Sequence, residues 1–310
     1  MKIRKAIDEF IADRESLGRK RNTKRFYRFT LGGLAAYLEE EGVTTLKKLG
    51  RREIRGFFAT LNQRGLSDDT LAAYDRSIRA FCKFCMLEGW LKKDPLIGRP
   101  RLKQSNALPD TWSLEEVDMM LAACGDGDIG MRDQATMLLM LDAGLRAGEV
   151  IGLTLDRLEL NRDRGEIMIP AAKAKDRADR LVPIWTETVT ALRIWLEVRP
   201  SPAETVFVAS NGRRMTTDGL TEKGLNMMMH RRAEQAGLNG KRRLCHIWRH
   251  TFAKRYVLGG GDLATLARLM GHESLETLKK YLKFKTEDLV QRHWELSPVR
   301  QLYQWRERNG

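Results

Sequence analysis

The stretch from His246 to Tyr281, HIWRHTFAKRYVLGGGDLATLARLMGHESLETLKKY, leaves the chain few choices of fold. Its first part has helical spacing, so His246 and Arg249, three residues apart, point to one face of one helix. Gly259, Gly260 and Gly261 then impose a turn, and an apolar-periodic segment follows, ending at Gly271-His272. Tyr281 comes nine residues after that histidine. Two histidines, an arginine and a phenol are a poor metal set. They suit the handling of a negatively charged phosphate and attack on it by an oxygen nucleophile.

Upstream, residues 1–90 read as a compact helical domain. Ile7, Phe10 and Ile11 mark one short helix. A second runs from about Asn22 to Leu38, with Phe26, Phe29, Leu34 and Tyr37 as its apolar positions, and Gly42 ends it. Arg51 to Leu61 gives a third, and Ser67 caps a fourth that buries Leu71, Tyr74, Ile78, Phe81, Cys82 and Cys85. Lys20, Arg21, Lys24, Arg25 and Arg28 cluster at the start of the second helix. Like charges at (i, i+4) weaken an isolated helix, so an anionic partner accounts for them; for any single residue a solvated face does equally well. Residues 91–111 read as a basic linker interrupted by Pro95, Pro100 and Pro109.

The second domain, residues 112–291, opens on a capping box at Ser113 to Glu116. A helix over Asp128–Ala143, rich in apolar residues on several sides, breaks at Gly144, and another begins at Leu145-Arg146. Strands are expected at Glu166–Ile169 and Arg180–Ile184 around a polar turn at 173–179, then a helix near 186–198 and a short strand at Val206–Val208. Helices are expected from 217 onward, and residues 292–310 form a tail broken by Pro298. The fold class is mainly α with a small β-hairpin sheet, an α+β arrangement without the alternating βαβ series of a nucleotide-binding doubly wound sheet.

Charge narrows the partners. The chain carries 55 Lys+Arg against 41 Asp+Glu, a net +14, and residues 1–100 hold 22 basic and 13 acidic side chains, so +9 of that excess. Such a surface favours a polyanion, most simply nucleic acid. Cys82, Cys85, Cys124 and Cys245 make no disulfide framework, and the Cys82-x-x-Cys85 pair sits in an apolar helical pattern, which reads as core packing. No apolar run reaches membrane-spanning length and no signal-peptide pattern follows Met1, so a reducing cytoplasm is the expected home.

Taken singly, the polar residues decide little. Arg146 could serve only as an ion-pair partner of Glu149, and His246 as a hydrogen-bonded core histidine. His246 and His250 have the spacing of a zinc pair, but Ile247 stands where a metalloprotease helix has glutamate, and no third ligand presents itself. There is no P-loop and no GxGxxG fingerprint.

Taken together they form a pattern. Gly144-Leu145-Arg146-Ala147-Gly148-Glu149, Lys175 eight residues before Pro183, His246-Ile247-Trp248-Arg249-His250, Gly271-His272 and Tyr281 follow in order along the chain. In these boxes the sequence resembles the tyrosine recombinase (phage integrase) family, over nearly its whole length. It departs from the family at Trp248, where an aliphatic residue is usual, a change expected to enlarge the core without touching the chemistry. Lys173 competes with Lys175 for the hairpin position; the spacing to Pro183 favours Lys175.

The resemblance implies a site-specific recombinase in which Tyr281 attacks a DNA phosphodiester, leaving a 3′-phosphotyrosine and a free 5′-hydroxyl. It implies that Arg146 and Arg249 grip the non-bridging oxygens, that Lys175 protonates the leaving oxygen, that His246 accepts the tyrosine proton and that His272 donates to the phosphate. Neither metal nor nucleotide cofactor is implied. The helical domain becomes a SAM-like core-binding domain, Lys241, Arg242 and Arg243 meet flanking phosphates, and the tail docks on a neighbour, although the sequence equally allows it to pack on its own domain. The implied partners are double-stranded DNA, a homo-tetramer on two sites (a monomer or weak oligomer when free) and accessory DNA-bending proteins, in a nucleoid-associated setting. An integrase of a mobile element leads, with a Xer-like chromosome-dimer resolvase behind it. A type IB topoisomerase fits the two-domain layout less well, and a sequence-specific DNA binder without catalysis is the remaining alternative.

Overall fold

The computed structural model describes the chain except residues 19–20, 104, 106–108, 162–163, 172–178, 201, 239–244, 273, 283–287, 289, 291–292, 294–296, 301–303, 305–306 and 308–310, and the side chains of 21–22, 279–280 and 282. Two units divide it, Met1–Ala107 and Leu108–Gly310.

In the first unit, apolar residues at helical spacing build four helices: α1 (Ile3–Ser16), α2 (Arg21–Glu40), α3 (Arg51–Gln63) and α4 (Asp68–Leu87). Ser67 caps α4 by accepting the Thr70 amide at 3.4 Å. Phe10 is fully buried against Tyr27, Phe81 and Phe84, with ring centroids 4.9, 5.9 and 5.4 Å away. Removing that ring would cost about 3–5 kcal/mol. Thr30 donates to Ser77 at 2.8 Å, so this buried hydroxyl pair between α2 and α4 is satisfied.

Two expectations for this unit are corrected. The buried stripe of α2 is Leu31, Leu34, Ala35 and Leu38, whereas Phe29 is 69% exposed, beside Arg25 and Arg28 on the open side. The stretch read as linker begins as part of the core: Leu91 and Leu96 are buried, and Arg79 donates to the carbonyls of Arg99 (2.9 Å) and Pro100 (3.1 Å).

The second unit runs α5 (Leu114–Ala122), α6 (Asp128–Ala143), α7 (Ala147–Ile151), β1 (Leu158–Leu160), β2 (Gly165–Ile169), β3 (Arg180–Ile184), α8 (Thr186–Val198), β4 (Val208–Ser210), β5 (Met215–Gly219), α9 (Glu222–Gln235), α10 (Cys245–Leu258) and α11 (Leu263–Met270), then a 3-10 segment Leu275–Leu282. β1, β2 and β3 form an antiparallel sheet in that order, and β4 pairs with β5. β1 and β5 were not foreseen, and the helix expected from 217 starts at Glu222, after Thr221 caps it. Of the residues before it, Thr216 and Thr217 have β-branched side chains that favour the strand.

α6 runs against α8 and α10, and its Met137, Leu139, Met140 and Ala143 are fully buried. Within α6, buried Asp133 receives Arg132 and, from α9, Arg231 and Arg232; Trp195 of α8 donates to the Val206 carbonyl at 2.9 Å. A smaller apolar cluster of Phe252, Val257, Leu266, Met270, Leu278 and Tyr281 seats the last helices on α10. Cys82 and Cys85 are buried thiols; burial pushes Cys85 up to about 12, so the pair packs and does not react. Among the described residues no helix is long and apolar enough to cross a membrane.

Candidate active site

α6 stops because Gly144 takes a left-handed conformation, φ +56°, against the Phe252 ring. That turn aims the Gly144 carbonyl at α10, where it accepts from Arg249 Nη1 at 2.5 Å. It also places Arg146 at the N-cap of α7, its amide bonded to Glu149 Oε2 at 2.8 Å.

The C-terminus of α11 organises the rest. A helix end leaves its last carbonyls without internal partners and carries partial negative charge. Here three successive carbonyls each take a different guanidinium: Leu269 from Arg180 (2.8 Å), Met270 from Arg249 (2.7 Å) and Gly271 from Arg146 (3.0 Å). Gly271 itself is left-handed, φ +60°, with Arg180 packed where a Cβ would be. Arg146 and Arg249 are thus held side by side although they lie 103 positions apart in sequence.

Glu149 stands behind both Arg146 and Arg180. It accepts Arg146 Nη1 at 3.0 Å and Arg180 Nη1 and Nη2 at 3.0 and 2.8 Å. Burial opposes its charge, but the Arg180 bonds, the Arg146 amide and the two guanidinium charges outweigh it and hold the carboxyl below its usual range.

Arg249 is 4% exposed. Among the described residues no carboxylate lies within ion-pair distance of it; its bonds go to two carbonyls and to His272 Nε2 at 2.8 Å. Burial, and then the neighbouring Arg146 charge, pull it down to about 10. A guanidinium only donates, so His272 Nε2 accepts and the ring of neutral His272 carries its proton on Nδ1, toward Thr277 Oγ1 at 2.9 Å. Thr277 in turn donates a hydrogen bond to the Ser274 carbonyl at 2.7 Å. His272, expected to donate to phosphate, accepts here from Arg249 through Nε2.

Tyr281 is 4% exposed, and its hydroxyl lies 2.7 Å from His250 Nδ1. Burial pushes the phenol up to about 12, against the pull of Arg249 and Arg146. His246, read from the sequence as the proton acceptor, lies exposed one turn back on α10, its ring near-parallel to that of His250 with centroids 6.3 Å apart. The imidazole on the tyrosine is His250. An (i, i+4) step carries both histidines on one helix face, and only the return path of the chain to Tyr281 decides which one it meets.

Lys175 and its competitor Lys173 lie outside the described residues, as do Lys20, Lys241, Arg242 and Arg243; the Arg21 side chain does too. Arg25 and Arg28 are exposed, and Lys24 is ion-paired with Glu15. Trp248 is fully buried against Trp112, as its size required, and its indole nitrogen makes no hydrogen bond. Sequence reasoning missed Arg180 and saw Glu149 only as a partner of Arg146; the one signal for Arg180 was its place at the start of the strand leading to Pro183. A cavity of about 850 Å³ opens beside the cradle, lined in part by Arg146, Glu149, Arg180, His272, Arg157 and Arg268.

A helical unit followed by an α+β unit, with a buried tyrosine beside paired guanidiniums, defines the class to which known proteins can be compared. Residues 112–287 match the phage integrase family, and residues 7–89 match the phage integrase N-terminal SAM-like domain. A tyrosine recombinase XerC of Azotobacter vinelandii is 31% identical over 270 residues, covering 85% of this chain and 86% of that protein. A tyrosine recombinase XerD of Listeria monocytogenes is 29% identical, covering 85% and 88%. Among solved structures, the Tn1549 transposon integrase in complex with transposon right end DNA shares the fold at TM-score 0.75 and 18% identity, covering 95% of this chain and 99% of that one. The chain belongs to the phage integrase family of tyrosine recombinases. It is a site-specific recombinase, an enzyme that cleaves and religates DNA.

Proposed function

We propose that Tyr281 is the nucleophile and that Arg146 and Arg249 cradle the scissile phosphate. The observation that carries this reading is the buried Arg249 guanidinium beside Arg146, with no carboxylate on it among the described residues. Arg146 shares the Glu149 carboxylate with Arg180, and Arg249 has none among the described residues, so the adjacent cations are incompletely neutralised and an anion in the cradle completes them. The phenolic oxygen attacks phosphorus and the bond to the 5′-oxygen breaks. The phenol proton passes to His250, and Lys175 supplies the proton that leaves with the 5′-hydroxyl. A second 5′-hydroxyl reverses the step on a new strand. Guanidiniums and protons carry all the charge, so the reaction runs without metal or nucleotide.

The first unit serves as the core-binding domain, gripping duplex DNA through Arg25, Arg28 and their basic neighbours, and Lys241, Arg242 and Arg243 meet the phosphates flanking the cut. The protein works as a homo-tetramer on two sites, with its C-terminal tail docked on the neighbouring subunit, in the nucleoid of the cytoplasm. Its use is the integration and excision of a mobile element: relatives named XerC and XerD match it about equally, at 31 and 29%, so it stands no nearer to either. The second reading, a Xer-like dimer resolvase, is favoured by the length of chain those relatives share with it.

The test is a pool of nicked duplexes, drawn from DNA flanking the gene and from random sequence, incubated with the protein in EDTA. SDS-resistant adducts whose DNA can be sequenced are expected with wild type and absent with Tyr281→Phe. Abolition of the wild-type adduct by EDTA would overturn the metal-free mechanism. Adducts mapping to the ends of an element support the integrase; mapping to a single chromosomal site supports the resolvase.

A further inference from the structure

We infer that Arg180 is a positioning residue for the reaction: it locks Glu149 and the C-terminus of α11 into one body, so that Arg146 and His272 are aimed together. The inference rests on the proposed reading of Arg146. Arg180 opens β3, and its guanidinium uses all its edges inside the second unit. Nη1 and Nη2 make a bidentate pair with Glu149 at 3.0 and 2.8 Å, and Nε donates to the Leu269 carbonyl at 2.8 Å. Its side chain is 15% exposed, so the fork is shielded from competing water.

The consequences run outward from that fork. Glu149 has two oxygens and two guanidinium partners; Arg180 fixes the carboxylate plane, and Arg146 takes its angle from the same carboxylate. The Leu269 carbonyl lies on the last turn of α11, two residues before Gly271, whose own carbonyl takes Arg146. His272 follows directly. Arg180 also fills the space over Gly271, its Nη1 only 2.8 Å from where a Cβ would stand. Through Glu149 and the α11 terminus, the Arg180 guanidinium therefore sets the orientation of the groups around the phosphate. Lysine cannot replace it, since one ammonium cannot hold a bidentate carboxylate and a carbonyl in three directions.

The experiment uses the full chain and the duplex on which wild type forms its adduct. That duplex is prepared with an ordinary phosphodiester, or with a methylphosphonate, at the scissile position. A methylphosphonate lacks one anionic oxygen, so a misaimed guanidinium matters less there. Arg180→Gln is expected to lose on the order of 100-fold in single-turnover cleavage of the phosphodiester at saturating DNA, as a misplacement of about 1 Å would give. Its duplex affinity should stay unchanged, and most of the loss should vanish on the methylphosphonate. Glu149→Gln should show the same pattern, and the double variant should be no worse than either single one. Equal losses on both substrates would mean a merely structural arginine, and additive losses would mean that Arg180 does not act through Glu149; either overturns the inference. If Arg180→Gln does not fold, Arg180→Lys serves: an intermediate defect confined to the phosphodiester supports the role, and wild-type cleavage refutes it. Arg146→Ala is the control. Should its own defect persist on the methylphosphonate, the reading of Arg146 fails, whatever Arg180 does.

Discussion

His250 Nδ1 lies 2.7 Å from the hydroxyl of Tyr281, whose packing in the apolar cluster on α10 leaves it 4% exposed. A buried phenol held up near 12 is protonated at neutral pH and makes a poor nucleophile, so its neighbour decides its reactivity. His250→Ala should lower the rate of adduct formation by about 100-fold or more, the usual scale for losing a general base. His246→Ala should cost less, because that ring sits a turn away on the exposed end of α10. Single-turnover kinetics on a suicide duplex decide the matter. A larger loss in His246→Ala, with wild-type cleavage by His250→Ala, would return the acceptor role to His246.

The same burial has a cost in alkali. Tyr281 has a folded value near 12, above about 10 for an unfolded tyrosine. Its raised value means full stability below pH about 10 and progressive loss as pH rises through about 12, amounting to about 2–3 kcal/mol once both states are ionised. Tyr281→Phe removes this titration. The difference in unfolding free energy between wild type and Tyr281→Phe should therefore shift in favour of the variant between pH about 10 and 12. Urea unfolding at a series of pH values measures it, and a flat difference would show that the phenol ionises freely in the native protein.

Gly271 carries two demands at once, φ +60° and the Arg180 guanidinium packed over its Cα. Gly271→Ala strains the left-handed turn by about 1 kcal/mol and pushes on Arg180 as well. The melting temperature should fall by a few degrees, about 2–4 °C per kcal/mol for a chain of this size. Cleavage should fall much further than that stability loss explains, because Arg146 takes its direction from the Gly271 carbonyl. Equal sensitivity of folding and cleavage would place Gly271 outside the site.

Much of the architecture was readable from local pattern. α1, α3, α4 and α6 lie where apolar periodicity, Ser67 and Gly144 put them, because those signals act within a few residues. The ordered boxes around Arg146, Arg249, His272 and Tyr281 were legible for the same reason. What escaped depends on distant partners. Phe29 shares helical spacing with Phe26 and Tyr37 and not with Leu31, Leu34, Ala35 and Leu38, and only the packing of α1, α3 and α4 decides which side is covered. Arg180 meets Glu149, 31 residues away, and Leu269, 89 residues away, so nothing in its own neighbourhood marks it. His250 and His246 are indistinguishable on the helix until the chain returns with Tyr281. Leu91 and Leu96 sit among prolines and lysines that read as linker, yet their side chains finish the first core.

The most direct test of the whole account is the identity of the residue that becomes joined to DNA. Adduct from the wild-type protein, trapped on a nicked duplex in EDTA, digested with nuclease and protease and sequenced by mass spectrometry, should carry a nucleotide 3′-phosphate on the oxygen of Tyr281. A phosphate on any other side chain, or cleavage that leaves no protein–DNA bond, would contradict it.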